Sequence, residues 1–164
     1  MDYICSWSSP LGPITLASDG ESLTGLWFEG QQHFGETMDP CHREKSLPVF
    51  DQAVRWLDLY FSGIVPDFTP PLALRGSGFR KAVWKALQTI PYGITRSYAD
   101  IARQLNSSPR AVGGAIAHNP VSLIVPCHRV IASDGRLAGY AGGLNRKKRL
   151  LAMEQAIMKK EVSP

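Results

Sequence analysis

A cysteine, a histidine and an arginine stand side by side at residues 127–129, directly after Pro126 and the apolar run 121–125. A cysteine reacts as its thiolate, and a neighbouring imidazole and guanidinium lower the pKa of the thiol. The pattern therefore favours a nucleophile at Cys127. A structural cysteine fits the same residues, since free cysteine is among the most buried residue types and an adjacent histidine can be fortuitous. Taken alone, residues 126–130 support both interpretations equally.

Several short motifs surround Cys127 in a fixed order. They are Arg110–Ala115 (RAVGGA), Asn119-Pro120, Gly139–Gly143 (GYAGG) and Leu150–Glu154 (LLAME). With the sequence PCHRV at 126–130, these motifs resemble the O6-alkylguanine-DNA alkyltransferases, or methylated-DNA--protein-cysteine methyltransferases. The detailed similarity runs from Phe79 to Glu154, and Ser9–Gly12 resembles the opening of the family's amino-terminal domain.

The resemblance implies a DNA repair protein that moves an alkyl group from O6 of guanine onto Cys127, once per molecule and without a cofactor. O4-alkylthymine is a second candidate substrate. The O6 atom lies within the base-pairing edge, so the thiol reaches it only if the nucleotide leaves the helix. The expected partner is double-stranded DNA, bound in the minor groove by a monomer without sequence preference.

The resemblance also implies roles for four residues around Cys127. Glu154 orients and charges His128, which takes the thiol proton through a water molecule. The Tyr98 hydroxyl assists the departing guanine, and Asn119 holds the turn before the cysteine. In an extended strand Cys127 and His128 point to opposite faces, so their coupling needs a water or a local bend. Glu154 as a surface residue and Tyr98 as a buried anchor remain alternatives.

Two further sets of residues follow from the same resemblance. The substrate pocket is expected to include the backbone near Val130 and Ala141 and the side chain of Tyr140. In full, the pocket set is Val130, Ser133, Tyr140 and Ala141. The DNA-binding set is Tyr98, Ala99, Ser108, Pro109, Arg110, Ala111 and Gly113.

The segment 109–118 is an unusual helix for reading DNA. A major-groove recognition helix needs polar side chains aimed at base edges, whereas Ala111, Gly113 and Gly114 offer methyl groups and bare backbone. Small residues permit close approach to a narrow groove with one inserted side chain, which the resemblance identifies as Arg110. Close packing between helices is the structural alternative. Two departures from the family pattern are an alanine at position 141, where serine is frequent, and a turn before Arg110 that is one residue short.

Charge divides the 164-residue chain into two parts. Residues 1–74 contain 3 basic and 10 acidic side chains, whereas residues 75–164 contain 15 basic and 4 acidic ones. This asymmetry predicts an acidic domain followed by a basic domain that meets a polyanion such as nucleic acid. The basic run Arg146–Arg149 is expected to be an ordinary solvated face of a helix.

The coarse organisation predicts an α+β protein with domains at 1–74 and 75–164. Segments 3–8, 13–18 and 23–28 have the pattern of a small antiparallel sheet, and apolar residues recur at helical spacing over 48–63. Segment 68–77 is the expected linker. The second domain is expected to be helical over 79–90, 98–105 and 109–118. The last two form a helix-turn-helix, with a capping box at Ser97 and Asp100 and Pro109 at a helix start.

The cysteine count and the chain start favour an intracellular, cytoplasmic protein. Three cysteines do not suggest a disulfide framework, and the chain start lacks the pattern of a signal peptide. No run approaches the length of a membrane span. The metal-ligand candidates Cys5, His33, Cys41 and His42 fit no compact zinc spacing, so we expect no metal.

Two other classes of protein stay open at this point. A helix-turn-helix DNA-binding module without chemistry would make Cys127 structural. A cysteine hydrolase would use Cys127 as its nucleophile, although no clear acyl-substrate site accompanies it.

Overall fold

The computed structural model describes the backbone of residues 1–162 and the side chains of residues 1–159. It contains two compact units. The first comprises Met1–Gly76 together with Pro120–Ser122, and the second comprises Ser77–Asn119 and the chain from Leu123 onwards. The expected α+β organisation is confirmed, with a sheet and a helix in the first unit and mostly helices in the second.

A four-stranded sheet forms the base of the first unit. Strands β1 (Asp2–Ser9), β2 (Gly12–Ser18) and β3 (Leu23–Phe28) pair antiparallel, as predicted. A short strand β4 (His42–Glu44) pairs parallel to β1, so the sheet is mixed, in the order β3-β2-β1-β4. The sequence did not predict β4, because three exposed polar residues show no alternation of apolar and polar side chains.

Helix α1 (Pro48–Phe61) completes the first unit at the predicted position. Proline stands in its first turn, where the missing N–H costs no hydrogen bond. Its buried residues recur at intervals of three and four, which places them on one face of the helix. They are Val49, Phe50, Ala53, Trp56, Leu57 and Tyr60.

The segment expected to be a linker is attached to this sheet. Leu72 pairs with Leu23 of β3 through an isolated bridge. The Arg75 guanidinium donates to both carboxylate oxygens of the buried Asp2 at 2.7 and 2.8 Å and to the carbonyl of Thr37 at 3.0 Å. The linker prediction did not include these contacts with the sheet, because a salt bridge between residues 2 and 75 leaves no local pattern in the sequence.

Up to residue 162, the second unit contains four α-helices and a two-stranded parallel ribbon. Ser77, Ser97 and Ser108 cap the first three helices, and Ser97 forms the predicted capping box with Asp100. The helices are α2 (Gly78–Leu87), α3 (Tyr98–Gln104), α4 (Pro109–Ala117) and α5 (Leu144–Val162), and the ribbon pairs β5 (Arg96–Ser97) with β6 (Val130–Ile131).

Helices α3 and α4 pack together as the expected helix pair, and α2 packs against α4. The buried Trp84 indole donates to the carbonyl of Ala115 at 2.8 Å, which fixes α4 on α2. Cys5, Cys41 and Cys127 are free thiols. No helix within residues 1–162 is long and apolar enough to span a membrane.

We expect Arg75→Gln to lower the free energy of unfolding by about 1–3 kcal/mol, because it removes charged hydrogen bonds to a buried carboxylate. The partial exposure of Arg75 favours the lower end of that range. Urea titration measures the change. The control Arg103→Gln removes an exposed ion pair with Asp100 and should cost less than about 1 kcal/mol.

The same pair predicts a pH dependence. Arg75 lowers the pKa of Asp2 below its unfolded value of 3.8, so the contribution of the pair is complete above that pH. It is lost as the pH falls through the lower, folded pKa. The stability difference between wild type and Arg75→Gln should therefore narrow in acid. A difference that stays constant down to pH 2 would contradict this account.

Candidate active site

Cys127 begins a single 3₁₀ turn, Cys127–Arg129, and does not lie on a strand. The amide of Cys127 donates to the carbonyl of Val125 at 2.8 Å, and that of Arg129 donates to Pro126 at 3.0 Å. The prediction of a cysteine strand was wrong because an apolar run indicates burial, which an irregular segment can also satisfy. All of residues 121–130 are buried. The turn is a local bend between Cys127 and His128, one of the two ways in which the two residues were expected to be coupled.

The approach to this turn contains a residue in an unfavourable conformation. Leu123 has a φ of 72° although its side chain is buried, with 1% exposed. A non-glycine residue in this region costs of the order of 1–3 kcal/mol and persists only where the surrounding structure imposes it. The folded core therefore holds the chain four residues before Cys127 in a conformation that the sequence alone would disfavour.

Burial raises the pKa of the Cys127 thiol above its ordinary value. The Asn119 side chain, the Lys147 ammonium and nearby backbone amides oppose that rise without cancelling it. The expectation that the adjacent imidazole and guanidinium would lower this pKa was wrong, because both side chains face Glu154. The thiol is therefore protonated at rest, and its reaction needs a group that accepts the proton.

His128 and Glu154 form the buried pair that the sequence motifs suggested. The Nε2 atom of His128 lies 2.5 Å from Oε2 of Glu154, and neither side chain is more than 1% exposed. An ionised carboxylate only accepts hydrogen bonds, so Nε2 must donate and the second ring nitrogen, Nδ1, is the basic one. Glu154 is thus a buried partner of His128 and not a surface residue.

Arg129 and the backbone of Gly93 complete the shell around Glu154. Arg129 Nε donates to Oε1 at 2.8 Å, Nη2 lies 3.3 Å from Oε2, and Nη1 donates to the carbonyl of Ile90 at 2.8 Å. The Gly93 amide donates to Oε1 at 3.1 Å. Gly93 has a φ of 79°, and a Cβ atom there would lie 2.2 Å from Cγ of Met158, so both conformation and space require glycine.

These contacts set the charges of the pair. Burial alone would raise the pKa of Glu154, but the hydrogen bonds and charges of His128 and Arg129 outweigh it and hold that pKa well below its usual range. Burial lowers the pKa of His128, and Arg129 and Lys147 lower it further against the opposing effect of Glu154. The site therefore rests with an ionised Glu154 and a neutral His128, which can accept a proton.

Asn119 and Tyr98 lie on the elements that lead into the site. The Asn119 side chain donates to the carbonyl of Val125 at 2.9 Å, a side-chain to backbone bond of the kind expected to hold the turn. The register of the parallel ribbon pairs Arg96 with Val130, which brings the start of α3 to the residue after the reactive turn. Burial raises the pKa of the Tyr98 hydroxyl, and the nearby Cys127 raises it further.

Lys147 is the side chain that the sequence interpretation placed incorrectly. It is fully buried, whereas the run 146–149 was expected to be a solvated face. Its ammonium donates to the carbonyls of Val130 at 2.6 Å, Leu137 at 2.5 Å and Gly139 at 3.1 Å. Burial lowers the pKa of Lys147 to about 8, against the opposing effect of Cys127. One cation therefore ties the segment after the reactive turn to the loop before α5.

A signal for this burial was present in the sequence. Lys147 precedes Leu150, Leu151 and Glu154 by three, four and seven residues, and all four side chains are buried on one face of α5. Helical spacing from the apolar pair would have assigned Lys147 to the inner face. The exposed neighbours Lys148 and Arg149 do belong to a solvated face.

The expected pocket residues are not equally placed. Val130 is buried, and Tyr140 and Ala141 are half-buried in the loop before α5. A Cβ atom on Gly142 would lie 2.5 Å from the Tyr140 ring, so glycine lets that ring fold back over the loop. Ser133 is exposed in the turn after β6, and no contact in the described residues connects it to Cys127.

The start of α4 exposes mostly small side chains. A Cβ atom on Gly113 would lie 3.9 Å from the Tyr98 ring, an ordinary contact distance, and Ala99 is half-buried. Val112, Ala115 and Ile116 form the buried face. The exposed residues are Ser108, Pro109, Arg110, Ala111 and Gly114.

Comparison with known proteins gives a consistent result over both units. The model of the 6-O-methylguanine DNA methyltransferase ribonuclease-like domain matches residues 3–74, and that of the DNA binding domain matches residues 78–156. The methylated-DNA--protein-cysteine methyltransferase of Mycobacterium leprae is 48% identical over 160 residues, 94% of this chain and 93% of that protein.

Solved structures give the same similarity. The crystal structure of Mycobacterium tuberculosis OGT in complex with DNA superposes with a TM-score of 0.85 at 45% identity, covering 94% of both chains. The O6-methylguanine-DNA methyltransferase from Pyrococcus kodakaraensis superposes with a TM-score of 0.68 at 27% identity, covering 94% of this chain and 99% of that one.

We expect Lys147→Met to loosen the loop around Leu137 and Gly139, because the buried carbonyl of Val130 and the part-buried carbonyls of Leu137 and Gly139 lose their donor. Each unsatisfied acceptor costs about 1–3 kcal/mol, offset in part by removal of a buried charge. The rate of tryptic cleavage after the exposed Arg136 measures the loosening and should rise several-fold. The control Lys148→Met removes an exposed charge one residue along and should leave that rate unchanged. Equal cleavage rates in Lys147→Met and in the wild type would show that Lys147 does not hold this loop in place.

Proposed function

We infer that this chain removes alkyl groups from O6 of guanine in DNA, because it belongs to the 6-O-methylguanine DNA methyltransferase family. The observation that carries this inference is a buried thiol beside a neutral histidine and an ionised glutamate, in the unit that also contains the helix pair. The reaction reverses the damage directly. A carbon–sulfur bond forms at Cys127 as the carbon–O6 bond of the alkylguanine breaks.

We propose that His128 accepts the thiol proton through Nδ1 by way of a water molecule. Cys127 needs such a base, since burial keeps it protonated. Glu154 holds the proton on Nε2 and so makes Nδ1 the acceptor. Asn119 fixes the segment before Cys127 through its bond to Val125.

The departing guanine must gain a proton or strong hydrogen bonds. We propose that the Tyr98 hydroxyl provides them, and its raised pKa keeps it a neutral donor over the physiological range. Tyr140 and the backbone near Val130 and Ala141 then form the walls of the pocket that holds the extruded base. Ser133 belongs to this set only if its turn closes over the substrate.

The exposed start of α4 is the proposed DNA-binding surface. Its small residues allow close approach to the minor groove, and we propose that the exposed Arg110 side chain fills the space of an extruded base. Binding of this kind depends on the backbone and on helix deformability, so it is insensitive to sequence. Tyr98, Ala99, Ser108, Pro109, Ala111 and Gly113 make up the rest of the proposed surface.

Two coarser proposals accompany this function. We place the domain boundary between residues 74 and 75, supported by the change from acidic to basic composition there, although the compact units divide two residues later, between Gly76 and Ser77. We place the protein in the cytoplasm, because its substrate is cellular DNA. A thiol that must stay reduced suits that compartment.

We expect excess methylated duplex DNA to add one methyl group to each protein molecule, at Cys127, because a thioether has no easy route back to a thiol. Intact mass and peptide mapping measure the product. Cys127→Ala should bind the duplex and gain no mass. The matched controls Cys5→Ala and Cys41→Ala should still react. Continued turnover would contradict a single irreversible transfer to Cys127. No transfer at all would contradict the function and favour the DNA-binding module.

We expect Arg110→Ala to slow repair of a methylated duplex by at least tenfold while leaving the reaction with free alkylguanine base within about twofold. The free base needs no extrusion, so loss of the inserted side chain should not affect it. Arg110→Lys keeps the charge and separates loss of charge from loss of shape. Single-turnover kinetics on both substrates give the comparison. An equal loss on both would indicate a damaged active site and contradict the extrusion role.

A further inference from the structure

Arg129 lies in the buried cluster without a part in the chemistry described above. It follows His128 directly, yet its guanidinium turns away from Cys127 and holds the Glu154 carboxylate from a second side. Its side chain is only 10% exposed, and its third contact is the carbonyl of Ile90. The Tyr92 ring lies 5.5 Å from the guanidinium carbon. The position of Arg129 is therefore fixed on several sides.

The charge balance around His128 depends on this residue. A buried carboxylate facing only an imidazole stabilises the imidazolium form, because the two charges then compensate each other. An imidazolium could not accept the proton of Cys127. Arg129 already supplies the positive charge that Glu154 requires, so the pair does not need a second one on His128. The direction of its effect on the pKa of His128, which is downward, agrees with this.

Of the other charged groups around His128, Lys147 from α5 acts in the same direction as Arg129 and lowers the pKa of His128, and Glu154 from α5 acts against both. Cys127, on the same turn, is protonated at rest. Helix α2, which packs against the turn, buries only uncharged side chains there, namely Val83, Trp84, Ala86 and Leu87.

We propose that Arg129 is a positioning residue that neutralises and orients Glu154, so that His128 stays uncharged with its proton on Nε2 and receives the thiol proton on Nδ1. This inference rests on the proposed function and adds a residue to it. Arg129 touches neither substrate nor sulfur in this account. It acts by setting the charge and the tautomer of His128.

The first test uses the unaltered protein and needs no activity. Nitrogen chemical shifts of the His128 ring at pH 7 report its charge and tautomer. A neutral ring protonated at Nε2 is the expected result. An imidazolium, or a ring protonated at Nδ1, would overturn the proposal even if alkyl transfer to Cys127 proceeds normally.

The second test is the pH profile of alkyl transfer from free alkylguanine base, which avoids effects on DNA binding. In Arg129→Gln the full charge of Glu154 acts on His128, so the acidic limb of the profile should move up by at least one pH unit. At a pH well below both acidic limbs, transfer should then fall at least tenfold, because one pH unit corresponds to a factor of ten, and it should recover towards the wild-type rate as the pH rises. Arg129→Lys restores the charge and should return the acidic limb to within about half a unit.

The control Arg149→Gln removes an exposed charge from α5 and should leave the profile unchanged. A merely structural role for Arg129 would lower the rate equally at every pH, and that outcome would contradict the proposal. If Arg129→Gln does not fold, the ring measurement on the wild type and the Arg129→Lys profile still decide. Failure of wild-type Cys127 to gain an alkyl group would instead contradict the proposed function.

Discussion

The ionised carboxylate of Glu154 is the constraint on which the reactive part of the second unit depends. A buried charge of this kind is tolerated only when every lone pair is satisfied. His128, Arg129 and the Gly93 amide meet that requirement from two separate segments of the chain. The 3₁₀ turn, the loop at Gly93 and helix α5 must therefore occupy fixed positions together. The proposed base, His128, is held in place by the same contacts that make the carboxylate stable.

Burial has a second effect, on reactivity. Taking Cys127 out of water raises its pKa and keeps it as a thiol, which protects it from casual oxidation or alkylation in solution. In the proposed mechanism, the reactive thiolate arises only when a neutral His128 removes the proton. Lys147 completes the arrangement, because its ammonium opposes the rise in the thiol pKa and anchors the loop that carries Gly139. The selectivity of the Cys127 thiol for its substrate over reagents in solution thus depends on the buried charges around it as much as on the thiol itself.

The sequence predicted those features that depend on local physics. The capping box at Ser97, the proline start of α4 and the three antiparallel strands are set by neighbouring residues, and they appeared where expected. The shape of the cysteine segment and the partner of Arg129 depend on residues far along the chain, and local patterns did not predict them. Lys147 lies between these cases. Its helical spacing was visible, but its position in a basic run indicated the opposite surface.

Leu123 shows how far the site depends on the core around it. The packing of its own buried side chain offsets the energetic cost of its left-handed backbone. Backbone conformation and side-chain volume are therefore linked at this residue. Glycine would relieve the torsion but leave a cavity, and a β-branched side chain would worsen the torsion. Neither change improves one property without loss of the other. Substitution of Leu123 itself is therefore unfavourable. Changes to the segment entering the active site must instead come from substitutions in the surrounding core.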